Sequence, residues 1–169
     1  MATLVYLWRQ GVAGRDFLMI HRGGRDDDFH SGKWNGLGGK LEGVESPWEA
    51  AAREVREESR INLSADRLRW QGMLHFPNFK PQKQEDWWCC VLTAELTSAE
   101  AQSVSEGARF SDEGTLHWVP ESQLLSLNLW EGDRTFLPKV LAGDSVFGTL
   151  RYDHGRLAAF RLECPPPFT

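Results

Sequence analysis

Residues 39–61, GKLEGVESPWEAAAREVREESRI, contain the strongest helix signal in the chain. Ser46 can cap a helix, Pro47 suits its first position, and Glu49 completes a capping box. We expect the helix to end near Ser59. Helical spacing predicts that its buried stripe consists of Trp48, Ala51, Ala52, Val55 and Ser59.

Three carboxylates lie beside that stripe rather than opposite it. At about 100° per residue, Glu54, Glu57 and Glu58 fall within about 100° of one another. Like charges this close repel when exposed by roughly a few tenths of a kcal/mol per pair. Arg53 can reach Glu57 but cannot neutralise all three. An ordinary solvated acidic face is one explanation, and Mg²⁺ or Mn²⁺ with hard oxygen ligands is the other.

The loop before the helix favours the second explanation, a bound metal ion, over a solvated acidic face. Residues 35–40, NGLGGK, carry three glycines, which allow the backbone to approach a ligand closely. Lys40 at the end of this loop can contact a phosphate. Carboxylates and a phosphate-binding loop side by side indicate polyphosphate chemistry.

The composition predicts one globular domain at residues 1–164 and a short proline-rich tail at 165–169. The chain has 169 residues, of which 41% are hydrophobic and 25% charged. Its net charge of -5 argues against a stable nucleic-acid partner, and no stretch approaches 18 apolar residues. Adjacent Cys89 and Cys90 predict neither disulfides nor a zinc site. We expect a cytoplasmic monomer without membrane contact.

Apolar runs elsewhere in the chain predict strands and a second helix. The expected strands are Thr3–Trp8, Phe17–Ile20, Leu68–Phe76, Trp87–Glu95, Leu116–Val119 and a terminal hairpin, Val146–Tyr152 with Leu157–Glu163. The expected loops are Arg22–Gly32, the turns at Pro77 and Pro81, and Ser98–Glu106. Phe136, Leu137, Val140 and Leu141 predict a helix that ends near Gly143. Strands mixed with two packed helices indicate an α/β or α+β domain on a mixed sheet.

Residues 39–61 resemble the signature box of the Nudix hydrolases. The match comprises Gly39, five residues, Glu45, seven residues, and then Arg53-Glu54, Val55, Glu57-Glu58 and Ile61. Arg60 is the one departure, because the family usually has glycine there, and arginine would cost about 1 kcal/mol if its φ must be positive. Residues 32–40 and 130–138, with Ser111–Glu113 and Trp118, resemble the MutT-like purine nucleoside triphosphatases. The resemblance implies a mixed sheet sandwiched between helices.

The resemblance also implies site residues. Glu54, Glu57 and Glu58 would be metal ligands, with the Gly38 carbonyl and Glu113, and one glutamate could act as base toward the attacking water. Lys40 would contact phosphate, while Arg53 and Glu45 would hold loop and helix together. The implied reaction is hydrolysis of a nucleoside triphosphate to the monophosphate and pyrophosphate, with Mg²⁺ or Mn²⁺ as Lewis acid.

A base-binding site follows from the second matching segment. Asn35 and Asp133 offer polar groups to a purine edge, Trp130 offers a stacking face, and Phe29 and Phe136 could complete the walls. Trp130 and Phe136 could instead be core aromatics. The most similar family members have two consecutive acids after the tryptophan, and the first of these is Gly132 here.

The leading hypothesis is removal of an oxidised guanine triphosphate such as 8-oxo-dGTP. A second enzymatic hypothesis keeps the phosphate chemistry on another nucleoside diphosphate, linked to a sugar, to adenosine or to an RNA cap. A third is a non-catalytic nucleotide-sensing domain, against which the intact carboxylate set argues.

Overall fold

The computed structural model describes residues 1–23, 32–80 and 85–163, without the Lys80 side chain, and these residues form eight strands, four α-helices and a short 3-10 helix at Ala65–Arg67. The strands are β1 (Ala2–Gly11), β2 (Gly14–His21), β3 (Trp34–Asn35), β4 (Arg69–Lys80), β5 (Glu85–Glu95), β6 (Thr115–Pro120), β7 (Val146–Asp153) and β8 (Arg156–Glu163). The helices are α1 (Pro47–Ser59), α2 (Ser98–Gln102), α3 (Glu121–Leu124) and α4 (Asp133–Ala142).

These strands form one curled, mixed sheet. Its order is β3-β2-β1-β5-β4-β7-β8, with β6 paired to the outer side of β2. The β1–β5 and β4–β7 pairs are parallel, and the other pairs are antiparallel. β1 therefore lies near the middle of the sheet, between its hairpin partner β2 and its parallel neighbour β5.

Alternation along β1 divides the core into two layers. Val5 and Leu7 pack with α1 on one face of the sheet, and Leu4 and Tyr6 pack with α4 on the other. Cys89 and Cys90 likewise belong to opposite layers, and both are free thiols. The sheet is sandwiched between α1 and α4, which confirms the predicted fold class. None of the described helices is long and apolar enough to cross a membrane.

α1 begins and ends through local hydrogen bonds. The Ser46 side chain accepts from the Glu49 backbone N–H, and the Glu49 carboxylate accepts from the Ser46 N–H, so the capping box is present. At the other end, Arg60 is the C-cap in the left-handed conformation, with a φ of 63°. The condition attached to the cost of arginine at this position, a positive φ, is therefore met.

The buried stripe of α1 differs from the prediction at Trp48. Trp48 is 36% exposed, whereas Ala50 and Glu58 are buried. The Trp48 indole N–H donates to the Leu68 carbonyl at 3.1 Å, and its ring packs against Trp70. This polar contact holds Trp48 at the rim of the core, since its N–H needs a partner.

Two expected loops are partly regular structure. Ser98–Gln102 forms α2, which is capped by Thr97 and Glu100. β4 continues through Pro77 because its pairing with β7 stops at His75, so proline removes no ladder hydrogen bond on that side. Residues 24–31, which include most of the predicted loop at Arg22–Gly32, and Pro81 lie outside the described residues.

Candidate active site

Arg53 ties α1 to the glycine segment, residues 35–40. Its Nε donates to Glu45 Oε1 at 2.8 Å, its Nη2 to the Lys40 carbonyl at 2.9 Å, and its Nη1 to Glu54 Oε1 at 2.9 Å. These bonds raise the pKa of Arg53 well above its usual range, with Glu45 as the main cause. Arg53 and Glu45 thus hold loop and helix together, as the resemblance implied.

Glu58 is a buried acid at the end of α1. It is 3% exposed, and its Oε2 accepts from the Gly38 backbone N–H at 2.8 Å. Burial, which outweighs this hydrogen bond, raises the pKa of Glu58 to about 8, and the nearby charges of Glu113 and Glu54 add to the shift. Its other oxygen, Oε1, is buried without a hydrogen-bond partner among the described residues.

Glu113 approaches α1 from the loop before β6. Its charge raises the pKa of both Glu58 and Glu54, so the three carboxyl groups are close together. Arg22 Nη2 lies 2.6 Å from Glu113 Oε2 in an ion pair that lacks the angles of a hydrogen bond. An acid more than fifty residues from the box therefore reaches the box glutamates.

Glu54 and Glu57 differ in exposure. Burial is the largest cause of the raised Glu54 pKa. A Cβ on Gly39 would lie 2.4 Å from Glu54 Oε1, so only glycine leaves room for that carboxyl. The Glu57 side chain is 52% exposed, and its carboxylate lies 3.6 Å from Arg53 Nη1.

The donor atoms fit a divalent cation, although they are not preassembled around one point. No group of three or more His, Cys, Asp or Glu side chains within residues 1–23, 32–80 and 85–163 is arranged to hold a metal ion. Two buried carboxylate oxygens, Glu58 Oε1 and Glu113 Oε2, nevertheless lack hydrogen bonds there. Oxygen donors that repel one another are the ligands that Mg²⁺ and Mn²⁺ favour. The glutamates therefore suit a metal of this kind.

A second group of predicted residues lies on the α4 face of the sheet. Asp133, the first residue of α4, is 7% exposed, and its Oδ2 has no hydrogen-bond partner in the described part of the chain. Burial raises the pKa of Asp133 to about 7, against smaller opposite effects of a Trp130 backbone hydrogen bond, Lys33 and Arg134. Its carboxyl contributes, after burial, to the raised pKa of Tyr6. Asp133 and Tyr6 thus lie close together, as a buried polar group on the α4 side of the sheet.

The aromatic residues around this polar group are only partly those expected. Trp130 is half-buried, and Lys33 Nζ lies 5.0 Å from its ring centroid. Phe136 has no exposed surface and packs in the α4-side core, so it is a core aromatic and offers no wall to a ligand. Phe29 lies outside the described residues.

The glycine segment connects the two groups. Val5 and Leu37 exchange backbone hydrogen bonds, which places the segment along β1. A Cβ on Gly36 would lie 3.2 Å from Tyr6, whereas Gly38 donates to Glu58 on the other side. Asn35 is half-buried beside Gly36, and the exposed Lys40 has its Nζ 5.3 Å from the Trp87 ring centroid.

Tyr152, which was not among the predicted site residues, lies next to this polar group on the α4 side of the sheet. The Gly132 N–H donates to the Tyr152 hydroxyl at 2.7 Å, and the Trp130 and Tyr152 rings meet edge to face at 6.1 Å. Tyr152 comes from the terminal hairpin, whose docking depends on contacts distant in the chain. A separate cavity of about 570 Å³ near Trp8 and Arg67 contains none of the predicted site residues.

Comparison with known proteins agrees with this arrangement. A family model described as the NUDIX domain matches residues 1–140. The chain belongs to the Nudix family. The oxidized purine nucleoside triphosphate hydrolase of Mus musculus is 28% identical over 135 residues, covering 79% of this chain and 80% of that protein. The uncharacterized Nudix hydrolase YvcI of Bacillus subtilis (strain 168) is 30% identical over 134 residues, covering 78% and 80%.

A solved structure extends the similarity to nearly the whole chain. The MutT protein from Bacillus halodurans superimposes with a TM-score of 0.77 at 25% identity, over 98% of each chain. The chain is accordingly a Nudix hydrolase that acts on pyrophosphate bonds. Nudix hydrolases generally use divalent metal ions, which agrees with the oxygen-rich donor set around Glu58.

Proposed function

We propose that this Nudix hydrolase converts oxidised purine nucleoside triphosphates, such as 8-oxo-dGTP, to the monophosphate and pyrophosphate. The carrying observation is the buried Asp133 carboxyl on one side of the sheet and the carboxylates around Glu58 on the other, with the glycine segment along β1 connecting them. A base bound at one end would place its phosphates at the other. The similarity to a relative named as an oxidised purine nucleoside triphosphate hydrolase supports this substrate class.

The two groups of residues have distinct roles in the proposed reaction. Asn35 and Asp133 would hydrogen-bond the purine edge, Trp130 would stack on the base, and Lys40 would contact phosphate. Glu54, Glu57, Glu58, Glu113 and the Gly38 carbonyl would hold Mg²⁺ or Mn²⁺. When bound, the metal would polarise the phosphate oxygens and stabilise the leaving pyrophosphate. One box glutamate would accept the proton of the attacking water.

The direct test is a substrate panel. The purified protein is incubated with Mg²⁺ and with normal and oxidised purine triphosphates, sugar diphosphates and dinucleoside polyphosphates, and the products are identified. We expect the highest kcat/KM for an oxidised purine triphosphate, with monophosphate and pyrophosphate as products. A panel in which only the diphosphate-linked compounds react would replace this proposal with the second enzymatic hypothesis.

A matched pair of variants separates catalysis from folding. Glu57→Gln keeps the shape of a half-exposed side chain and should lower kcat by about 10²–10⁴-fold, as loss of a group acting on the reacting atoms does. Glu42→Gln alters an exposed glutamate in the loop before α1 and should leave kcat unchanged. Equal turnover in both variants would exclude Glu57 from the mechanism.

We also propose that the enzyme works as a cytoplasmic monomer on a small-molecule nucleotide, without a stable nucleic-acid or membrane partner. Its net charge of -5 supports the absence of a phosphate-backbone partner. Sedimentation at micromolar concentration should show a mass near 19 kDa for the monomer. A species of twice that mass would contradict the monomer.

A further inference from the structure

A side chain at position 132 would require Tyr152 and Leu150 to shift. A Cβ there would lie 2.5 Å from the Tyr152 hydroxyl oxygen and 2.6 Å from Leu150 Cδ2. The φ of Gly132 is -64°, which any residue can adopt, so the packing of Tyr152 and not the backbone requires glycine. The Tyr152 hydroxyl therefore occupies the space into which a side chain at position 132 would project.

The Tyr152 hydroxyl has an unused hydrogen. Its oxygen accepts from the Gly132 N–H, and its own proton has no acceptor among the described residues. The ring is partly exposed. The neighbouring Asp133 carboxyl adds to the raised pKa of Tyr152, for which burial is the largest cause, so both groups face the same space. A phenol with one acceptor lone pair engaged can still donate one hydrogen bond to a ligand.

The terminal hairpin is fixed firmly enough to position that hydroxyl. Besides the Gly132 contact, Glu131 Oε2 accepts from the Leu157 N–H of β8 at 2.7 Å. The Tyr152 ring also meets Phe76, Phe79 and Trp130. Contacts on both sides of the phenol leave its oxygen in one place beside Asp133.

We propose that Tyr152 is a specificity-determining residue, whose hydroxyl donates to the C6 carbonyl of a guanine-type base held by Asp133. This inference rests on the proposed function and narrows its substrate class. Guanine and its oxidised forms carry an acceptor at C6, whereas adenine carries an amino donor there. A single phenol donor beside one carboxyl therefore favours guanine-type over adenine-type triphosphates.

Steady-state kinetics of Tyr152→Phe on dGTP, 8-oxo-dGTP and dATP test this inference. The phenyl ring keeps the aromatic contacts and removes only the donor. We expect KM for both guanine substrates to rise about tenfold, which is the usual effect of one lost hydrogen bond, with kcat unchanged and KM for dATP unaffected. Arg151→Ala changes the exposed neighbouring residue of β7 and should keep the ratio of guanine to adenine activity.

The outcomes are distinguishable. If Tyr152→Phe lowers kcat/KM equally for guanine and adenine substrates, Tyr152 is structural and the inference is wrong. If the wild-type protein hydrolyses no purine triphosphate, the proposed function itself fails. Should Tyr152→Phe not fold, Gly132→Ala provides the same test, because its Cβ forces the hydroxyl away and should reduce guanine preference in the same way.

Discussion

Arg60 shows how one residue can be strained without loss of the site. It ends α1 with a φ of 63°, where its N–H donates to the Arg56 carbonyl at 2.9 Å and its guanidinium lies 6.0 Å from the Phe110 ring centroid. A left-handed conformation is unfavourable for a residue with a Cβ. The family pattern has glycine here because this helix end requires positive φ.

Arg60→Gly should therefore stabilise the protein by about 1 kcal/mol, which raises the melting temperature by about 2–4 °C. Arg60→Ala is the matched control, since it also loses the contact with Phe110 but keeps the Cβ. Thermal unfolding of both variants measures the difference. Equal melting temperatures for the two variants would show that the conformation carries no strain.

Asp133 should make stability depend on pH. Burial raises its pKa to about 7 in the folded protein, whereas the unfolded value is near 3.8. A raised carboxyl pKa means that the folded state holds the proton more tightly, so this contribution to stability is full below pH 4 and is lost as pH rises through 7. The complete difference corresponds to about 4 kcal/mol.

Asp133→Asn should remove that part of the pH dependence. We expect the variant to gain stability at pH 8 relative to pH 4.5, by about 3 kcal/mol compared with the wild type, because part of the difference is already lost at pH 4.5. Urea unfolding at the two pH values gives the free energies. Parallel wild-type and variant stabilities across this range would show that Asp133 is already ionised at pH 4.5.

At the scale of elements, α1 was predictable because its signals are local. Ser46, Pro47 and Glu49 mark its beginning in the sequence, and its boundaries agree with the structure. The same capping-box signal, Thr97 with Glu100, marks α2 and was missed within a predicted loop. Trp48 was placed wrongly because its hydrogen bond to Leu68 is a tertiary contact that periodicity does not contain.

Ser46→Ala should destabilise the protein by about 1 kcal/mol, since it removes the acceptor for the Glu49 N–H and the partner of the Glu49 carboxylate. Because α1 carries Glu54, Glu57 and Glu58 at its far end, kcat should change little. Urea unfolding and a kcat measurement check both statements. A large fall in kcat without a change in stability would mean that the cap shapes the site directly.

For the whole molecule, the sequence predicted a group of acids but not the ion pairs that these acids make. The spacing of residues 39–61 identified the glutamates of α1, and Glu113 came from the resemblance. The ion pairs of Arg22 with Glu113 and of Arg53 with Glu54 depend on the folded sheet. Tyr152 was missed for the same reason, because a hairpin near the end of the chain meets Gly132 only after folding.

Glu58 is expected to lower the stability of the metal-free protein. In buffer without metal at pH 8, Glu58→Gln should raise the free energy of unfolding by about 1–3 kcal/mol, because it removes a buried charge without a partner for Oε1. The glutamine oxygen can still accept from the Gly38 N–H. Urea unfolding in EDTA measures the change, and a less stable variant would indicate that the carboxylate is favourable without a cation.

Calorimetric titration of Mn²⁺ tests the central claim most directly. The protein is first saturated with α,β-methylene-dGTP, a nucleotide that cannot be cleaved between its α and β phosphorus atoms. Wild type and the control Glu42→Gln should bind the metal saturably, and Glu58→Gln should bind it at least about tenfold more weakly. Absence of a binding signal in the wild type, or equal affinity in Glu58→Gln, would contradict a metal site at these glutamates.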